Sequence, residues 1–504
     1  MTALDLNSPV AVVGTGTMGQ GIAQVALVAG HPVRLFDAAP GRAAEAAAAI
    51  VSRLDRLVEK GRLPAADRDA ARDRLTAADT LSDLAGCGLV VEAIVERLDV
   101  KQQLFRDLEE VVGEECLLAT NTSSLSVTAI GGALRLPGRF VGLHFFNPAP
   151  LMPLVEIVSG FATDAEAAGR ALETARAWGK SPVSCADQPG FVVNRIARPF
   201  YAEAFELYET GAADPATIDA VLRESGGFRM GAFELTDLIG QDVNEAVTRS
   251  VWESFFQDVR FRPSLAQRRL VESGRLGRKS GHGWYPYADG VERPEPRTAG
   301  PEEAPGHVTL LGELGPAAGL VGLIREAGVE VRTEDDSFAE EEKGRLVLPG
   351  GGTLVLADGE TVGEYGPDLV SFDLALDYRT ATRIALAAAP VTAPDTLAEA
   401  VGLFQALGKK VSVIGDVPGM IVARTVARII DLAFDAVARG VAAEEDVDTA
   451  MRLGVNYPLG PFEWSRRLGH DWAYGVLDAV HEREPSGRCA PSLASLRHAF
   501  AAAK

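Results

Sequence analysis

Cysteine is scarce in this chain, with four among 504 residues. Cys87, Cys116, Cys185 and Cys489 are too few and too scattered for a disulfide framework or a zinc cluster, so no metal is expected, and the usage fits a reducing cytoplasm. Basic residues are in deficit, 49 against 70 acidic, giving a formal net charge of −21. That balance argues against a surface dedicated to nucleic acid or to an anionic membrane, both of which would repel it. No uncharged apolar run of about 20 residues occurs, so no membrane span is expected. Met1 to Pro9 contain neither a basic stretch nor an apolar one, so no signal peptide is expected. Histidine is also rare, seven in all. With 47% hydrophobic residues, the composition is that of a globular protein of about three domains, expected in the cytoplasm.

The strongest local pattern opens the chain. Val10-Ala11-Val12-Val13 reads as a buried strand, and Gly14-Thr15-Gly16-Thr17-Met18-Gly19 leads into a helical run from Gln20 to Ala29. Val33 to Phe36 reads as a second strand, closed by Asp37. A strand, a GxGxxG turn, a helix and an acid at the next strand end form the dinucleotide-binding fingerprint in its required context. Gly14 allows the tight turn, Gly16 admits a pyrophosphate, and Gly19 lets helix pack on strand. The helix start at Thr17 and Met18 offers N–H groups to phosphate. Asp37 suits ribose hydroxyls and repels a 2′-phosphate, which favours NAD over NADP.

Further strands are predicted at 89–93, 117–121, 140–144 and 154–158, with helices between, so the first segment (1–187) is an α/β Rossmann-type domain. Long helical patterns at 191–211, 214–225 and 242–257 predict an all-α domain over 188–287. A Pro-, Glu- and Gly-rich stretch, 288–305, reads as a linker. Gly179-Lys180 recurs as Gly408-Lys409, Pro189-Gly190-Phe191 as Pro418-Gly419-Met420, and Phe233-Glu234 as Phe462-Glu463, each 229 residues on. The helical domain is therefore duplicated, with a second copy placed at 396–504. The intervening 306–395 reads as a reduced Rossmann-like domain without a GxGxxG.

Hydride transfer from an alcohol needs a base for the hydroxyl proton, and histidine suits that task near neutral pH. His144 ends a strand of the nucleotide-binding sheet, and Glu156 lies in the next strand, placed to orient the imidazole. Asn121-Thr122-Ser123-Ser124 follows another strand end and offers side chains to a substrate oxygen. These residues alone leave open a dehydrogenase of some other hydroxy acid, or a silent NAD-binding scaffold.

The runs Asn121-Thr122-Ser123-Ser124, His144-Phe145-Phe146-Asn147-Pro148 and Pro189-Gly190-Phe191-Val192-Val193-Asn194-Arg195, with Glu156 between, resemble the signature set of L-3-hydroxyacyl-CoA dehydrogenases. The resemblance covers residues 8–287. It implies NAD as cofactor, an acyl-CoA substrate, His144 as general base and Glu156 as its partner. Ser123 and Asn194 would hold the 3-oxygen, and Asn147 would lie by the nicotinamide. Glu96, Lys101 and Lys279 match cofactor-contact or basic motif positions. Ser52 and Lys60 fall in the helical insertion that meets coenzyme A. The second half is similar to long bacterial members, whose relatives act on 3-hydroxyadipyl-CoA in phenylacetate breakdown or on 3-hydroxybutyryl-CoA. Asn194 aligns with Ala423 in the second copy, so one active site is expected, built from residues 1–287. The helical domains of the family pair into dimers, so the second copy is expected to act as a built-in partner, or else the chain forms a homo-oligomer. A dicarboxyl substrate would call for a cation near its tail, with Arg195, Arg198 and Arg229 as candidates.

Overall fold

The computed structural model describes residues 2–333 and 344–501. Met1, 334–343 and 502–504, which fall in the first, third and last predicted segments, lie outside the described residues. The chain divides into two compact units, one of residues 1–195 with 439–455, the other of 196–438 with 456–504.

The first unit is built on an eight-stranded sheet. Its strands are β1 (Val10–Val13), β2 (Val33–Phe36), β3 (Leu75–Ala77), β4 (Leu89–Glu92), β5 (Leu117–Thr120), β6 (Phe140–Phe145), β7 (Leu154–Ser159) and β8 (Ser181–Ala186). Their order is β3-β2-β1-β4-β5-β6-β7-β8. All pairs are parallel except β6 with β7. β1, β4 and β5 are buried along their whole length, as expected of a sheet covered on both faces. The predicted strands appear, and β3 and β8 are added to them.

The second unit carries a seven-stranded sheet, ordered β10-β9-β11-β12-β13-β14-β15. The strands are β9 (His307–Leu311), β10 (Glu330–Thr333), β11 (Arg345–Val347), β12 (Thr353–Leu356), β13 (Leu369–Phe372), β14 (Arg383–Ala388) and β15 (Lys410–Gly415). Two predicted boundaries move. The helix Pro394–Ala406 and β15 complete this sheet, β15 pairing in parallel with β14, so the second helical copy starts beyond Gly415 rather than at 396. Nor is 288–305 a free linker throughout. The Ala299 amide donates to the Val411 carbonyl and the Glu302 amide to Gln405 Oε1, which straps this stretch along β15 and the helix before it.

The repeat is longer than its motifs. β6, β7, the helix Ala165–Ala177 and β8 recur, 229 residues on, as β13, β14, the helix Pro394–Ala406 and β15. The helices Pro215–Glu224 and Ala232–Ile239 recur as Glu444–Gly454 and Pro461–Leu468. The copies also exchange parts reciprocally. In the first unit the Ala186 amide donates to the Val441 carbonyl at 2.8 Å; in the second, the Gly415 amide donates to the Ala212 carbonyl at 2.8 Å. The 229-residue offset carries one pair onto the other with the copies interchanged, the signature of an isologous contact.

Candidate active site

The glycine turn is fixed by sterics that differ at each position. Gly14 has φ +95°, and a Cβ there would lie 2.5 Å from the Ala93 carbonyl oxygen. A Cβ on Gly19 would lie 1.8 Å from the Gly14 oxygen. Around Gly16 nothing comes within 4 Å of such a Cβ, so the backbone is open where a diphosphate would approach. The 13-residue helix Thr17–Ala29 starts there, presenting unpaired N–H groups and a positive dipole end. Thr15 ties the turn to Asp37, donating from its amide at 2.9 Å and its hydroxyl at 2.7 Å to one carboxylate oxygen. Burial raises the Asp37 pKa, but the bonds from Thr15 and Ala39 outweigh it and hold the carboxyl below its ordinary value. The open cradle, the helix start and the ionised acid together fit a dinucleotide.

The β6–β7 register sets His144 opposite Glu156. Both are buried, 5% and 0% exposed, and His144 Nδ1 lies 2.6 Å from Glu156 Oε2. The other oxygen, Oε1, accepts the amides of Val192 at 3.1 Å and Val193 at 2.9 Å. Glu156 therefore joins the imidazole to the short helix that carries Asn194. The Nδ1 contact with a carboxylate assigns the proton to Nδ1 and leaves Nε2 as acceptor. Phe146 and Phe191 flank the ring, with centroids at 4.6 and 5.7 Å.

Lys101 is fully buried, and its ammonium lies 2.5 Å from Glu92 and 3.1 Å from Glu96. This geometry makes it a positioning residue beneath the loop. Glu96 in turn accepts the Thr122 hydroxyl at 2.6 Å and the amides of Ser123 and Ser124 at 2.9 and 3.2 Å. Burial raises the Glu96 pKa, while Lys101 and these donors bring it below normal. The Ser123 backbone is thus held by Glu96. Asn147, exposed, follows β6. Its loop packs on the dinucleotide helix, since a Cβ on Gly21 would meet Ala149 at 3.1 Å and Pro150 at 3.2 Å.

The remaining predicted residues lie elsewhere. Ser52 and Lys60 are exposed on and just after the helix Arg42–Glu59. That helix packs on β2 and β3, at the opposite end of the sheet from β6 and β7. Lys279 belongs to the second unit, where its ammonium lies 2.5 Å from Asp242. Two residues, Glu92 and Lys180, escaped the sequence reading, and Asn121, expected to offer its side chain to a substrate oxygen, instead braces a strand end. Glu92 ends β4 and accepts Lys101 and the Thr120 hydroxyl. Asn121 Oδ1 accepts the Phe145 amide at 2.8 Å, fixing the end of β6. Lys180 donates to the Ala149 and Met152 carbonyls at 2.6 and 2.9 Å, pinning the loop after Asn147. An acid closing an apolar strand was the one available signal, for Glu92.

Comparison with known proteins finds matches along both halves of the chain. The family model for the 3-hydroxyacyl-CoA dehydrogenase NAD binding domain matches residues 9–188. The model for the C-terminal domain matches 190–287 and again 419–501. A 3-hydroxybutyryl-CoA dehydrogenase reduced Rossmann-fold domain matches 354–418. The chain is 44% identical to 3-hydroxyadipyl-CoA dehydrogenase of Escherichia coli (strain K12) over 486 residues, 96% of this chain and 95% of that one. It is 39% identical to human mitochondrial hydroxyacyl-coenzyme A dehydrogenase over 284 residues, 55% of this chain and 90% of that one. The crystal structure of 3-hydroxybutyryl-CoA dehydrogenase from Escherichia coli K12 superposes with a TM-score of 0.88 at 40% identity, covering 99% of both chains. A buried His–Glu pair beside an NAD-type cradle, on a chain matched by these models along both halves, places the protein in the 3-hydroxyacyl-CoA dehydrogenase family.

Proposed function

We propose that the chain oxidises an (S)-3-hydroxyacyl-CoA reversibly to the 3-oxoacyl-CoA, and that residues of the first 195 carry the chemistry. The observation that supports this most is the His144–Glu156 contact. With Nδ1–H held on Glu156, His144 Nε2 takes the hydroxyl proton as the C3 hydride leaves. Glu156 then stabilises the imidazolium. NAD, when bound, supplies the hydride acceptor, held by Gly14, Gly16, Thr17, Met18, Gly19 and Asp37, with Asn147 at the nicotinamide end. Ser123 and Asn194 hold the substrate oxygen. Glu96 and Lys101 shape the loop under both.

The reciprocal amide exchange supports a second element of the reading. The second helical copy acts as an intrachain partner of the first, in place of a second subunit. All four cysteines are free and buried, which suits a cytoplasmic enzyme. No described helix is long and apolar enough to cross a membrane. The test is a substrate panel with NADH as donor. Reduction of acetoacetyl-CoA, with free 3-oxo acids and sugar acids inert, supports the reading. Activity on the free acids alone overturns it.

A further inference from the structure

Within the first unit, one arginine joins the helix Arg42–Glu59 to two glutamines of the helix Thr17–Ala29. Arg53 Nη1 donates to Gln20 Oε1 at 3.0 Å, and its Nε to Gln24 Oε1 at 3.1 Å. Gln20 and Gln24 are four residues apart and share a helix face. Arg53 is thus held by two neutral amides rather than by a carboxylate, and its buried Nη2 has no hydrogen-bond partner among the described residues. Burial lowers the Arg53 pKa, and the neighbouring Arg56 lowers it further. A half-buried guanidinium set against amides alone is a costly way to pack two helices.

The first of these glutamines continues into the glycine turn. Gln20 Nε2 donates to the Thr15 carbonyl at 2.8 Å. A guanidinium has donors and no acceptor. It can therefore face only the oxygen of the Gln20 amide, which commits the amide nitrogen to Thr15. The Thr15 carbonyl and the Gly16 N–H belong to one planar trans unit and point in opposite directions. Its neighbours in the turn are fixed by other bonds: the Thr15 amide donates to Asp37 at 2.9 Å, and the Gly16 carbonyl accepts the Gln20 amide at 3.0 Å. The peptide between them lies next to glycine, where the backbone turns over at little steric cost. The Gln20 side chain is what holds it.

We propose that Arg53 is a positioning residue for the dinucleotide cradle, acting through Gln20 to aim the Gly16 N–H at the diphosphate of the bound cofactor. The proposal rests on the reading of the glycine turn as that cradle and extends it to a second helix. Arg53 sets the orientation of the Gln20 amide, Gln20 pins the Thr15 carbonyl, and the peptide plane carries the effect to Gly16. The bond that orients the turn thus starts on a helix that follows β2 and lies outside the GxGxxG run.

The experiment measures Kd by calorimetry on the full chain for NAD, for ADP, which keeps the diphosphate, and for adenosine, which lacks it. Arg53→Met and Gln20→Met should each weaken NAD and ADP about tenfold, the scale of one orienting hydrogen bond, and leave adenosine within about twofold. The rise should appear in KM for NAD rather than in kcat. Arg53→Lys, which still offers only donors to Gln20, should bind NAD within about threefold of wild type. Because Arg53 acts through Gln20, the double variant should bind NAD no more weakly than Gln20→Met alone. Unchanged NAD binding in Arg53→Met overturns the inference. So does an equal loss on adenosine, which assigns Arg53 to packing of the whole domain. Multiplied losses in the double variant also overturn it, because they assign an effect that bypasses Gln20. NAD binding absent from wild type overturns the parent reading of the cradle and this one with it.

Discussion

Asp373 stands in the second sheet at the position His144 holds in the first. The two are 229 residues apart, and the Asp373 amide donates to Ala385, the counterpart of Glu156. The buried carboxylate has changed strands. In the first unit Glu156 on β7 accepts the amides of Val192 and Val193. In the second, Asp373, directly after β13, accepts those of Ile421, Val422 and Ala423. Phe191 and Met420, which precede these amides, share a positive φ of 48° and 51°. The turn is thus preserved while the base is gone, and burial pushes the Asp373 carboxyl up to about 6 against the pull of those amides.

One consequence is that the equivalent position in the second sheet offers no histidine to take over from His144. His144→Gln is expected to lower kcat by about 10³-fold, within the usual range for general acid–base catalysis. Its Kd for NAD should stay within about threefold of wild type, because the imidazole is held by Glu156 and the dinucleotide cradle by the glycine turn and Asp37. Glu156→Gln should cost about 10²- to 10⁴-fold, since an amide cannot stabilise the imidazolium. Stopped-flow hydride transfer and NAD titration check both; wild-type kcat in His144→Gln refutes the role.

Two glycines of one turn should respond in opposite ways. Gly16 has φ −68° and empty space around a Cβ. Gly16→Ala should therefore fold within about 0.5 kcal/mol of wild type and weaken NAD at least about tenfold, or roughly 1.4 kcal/mol. Gly19→Ala drives its Cβ into the Gly14 carbonyl and should destabilise the fold by about 3 kcal/mol or more. Urea unfolding and NAD titration of both variants make the comparison.

Much of this was legible in the sequence, and the limits have physical causes. β1, β4 and β5 show as unbroken apolar runs because both sheet faces are covered. β3 is three residues on an edge, and β8 contains Pro182 and Ser184, so neither gives a periodic signal. β14, Arg383-Ile384-Ala385-Leu386-Ala387-Ala388, has the composition of a helix and is a strand only through its neighbours β13 and β15. At the site, Gly14, Asp37 and His144 were readable because local spacing defines them. The positioning role of Lys101 was not, because pattern alone cannot tell a buried ammonium from a surface one.

Glu203 gives a pH-dependent stability. It is fully buried, with Arg424 at 2.6 Å, Arg488 at 2.7 Å and Arg428 at 3.5 Å. Burial raises its pKa, but the three guanidinium groups prevail and bring it to about 2. A folded pKa below the unfolded one means stabilisation that is present above about pH 4.5 and is lost as pH falls toward 2. The shift corresponds to about 3 kcal/mol. Glu203→Gln removes the carboxylate shared by three buried arginines, leaving Arg424 with Glu484, Arg428 with Asp431 and Arg488 with Glu206, and should cost about 3 kcal/mol at pH 7. The stability gap between wild type and variant, from urea unfolding of the second unit, should narrow below pH 4.5. A gap that stays constant with pH refutes the assignment.

Cutting the chain after residue 300 tests the intrachain partner. The fragment keeps β8 but loses Val441, which accepts the Ala186 amide, and Asp446, which faces the Ser184 amide at 3.4 Å. It also loses Gly454, where an added Cβ would strike Leu154 and Val193, so that a helix end packs against β7 and the turn behind Glu156. These groups recreate the contact that the first copy makes in the second unit through Ala212. A fragment deprived of them still carries the complementary surface and is expected to pair with itself, sedimenting at twice its own mass. Adding residues 301–504 in trans should convert that dimer to a one-to-one complex. A monodisperse, fully active monomer of residues 1–300 refutes the partner role and leaves the second copy as added scaffold.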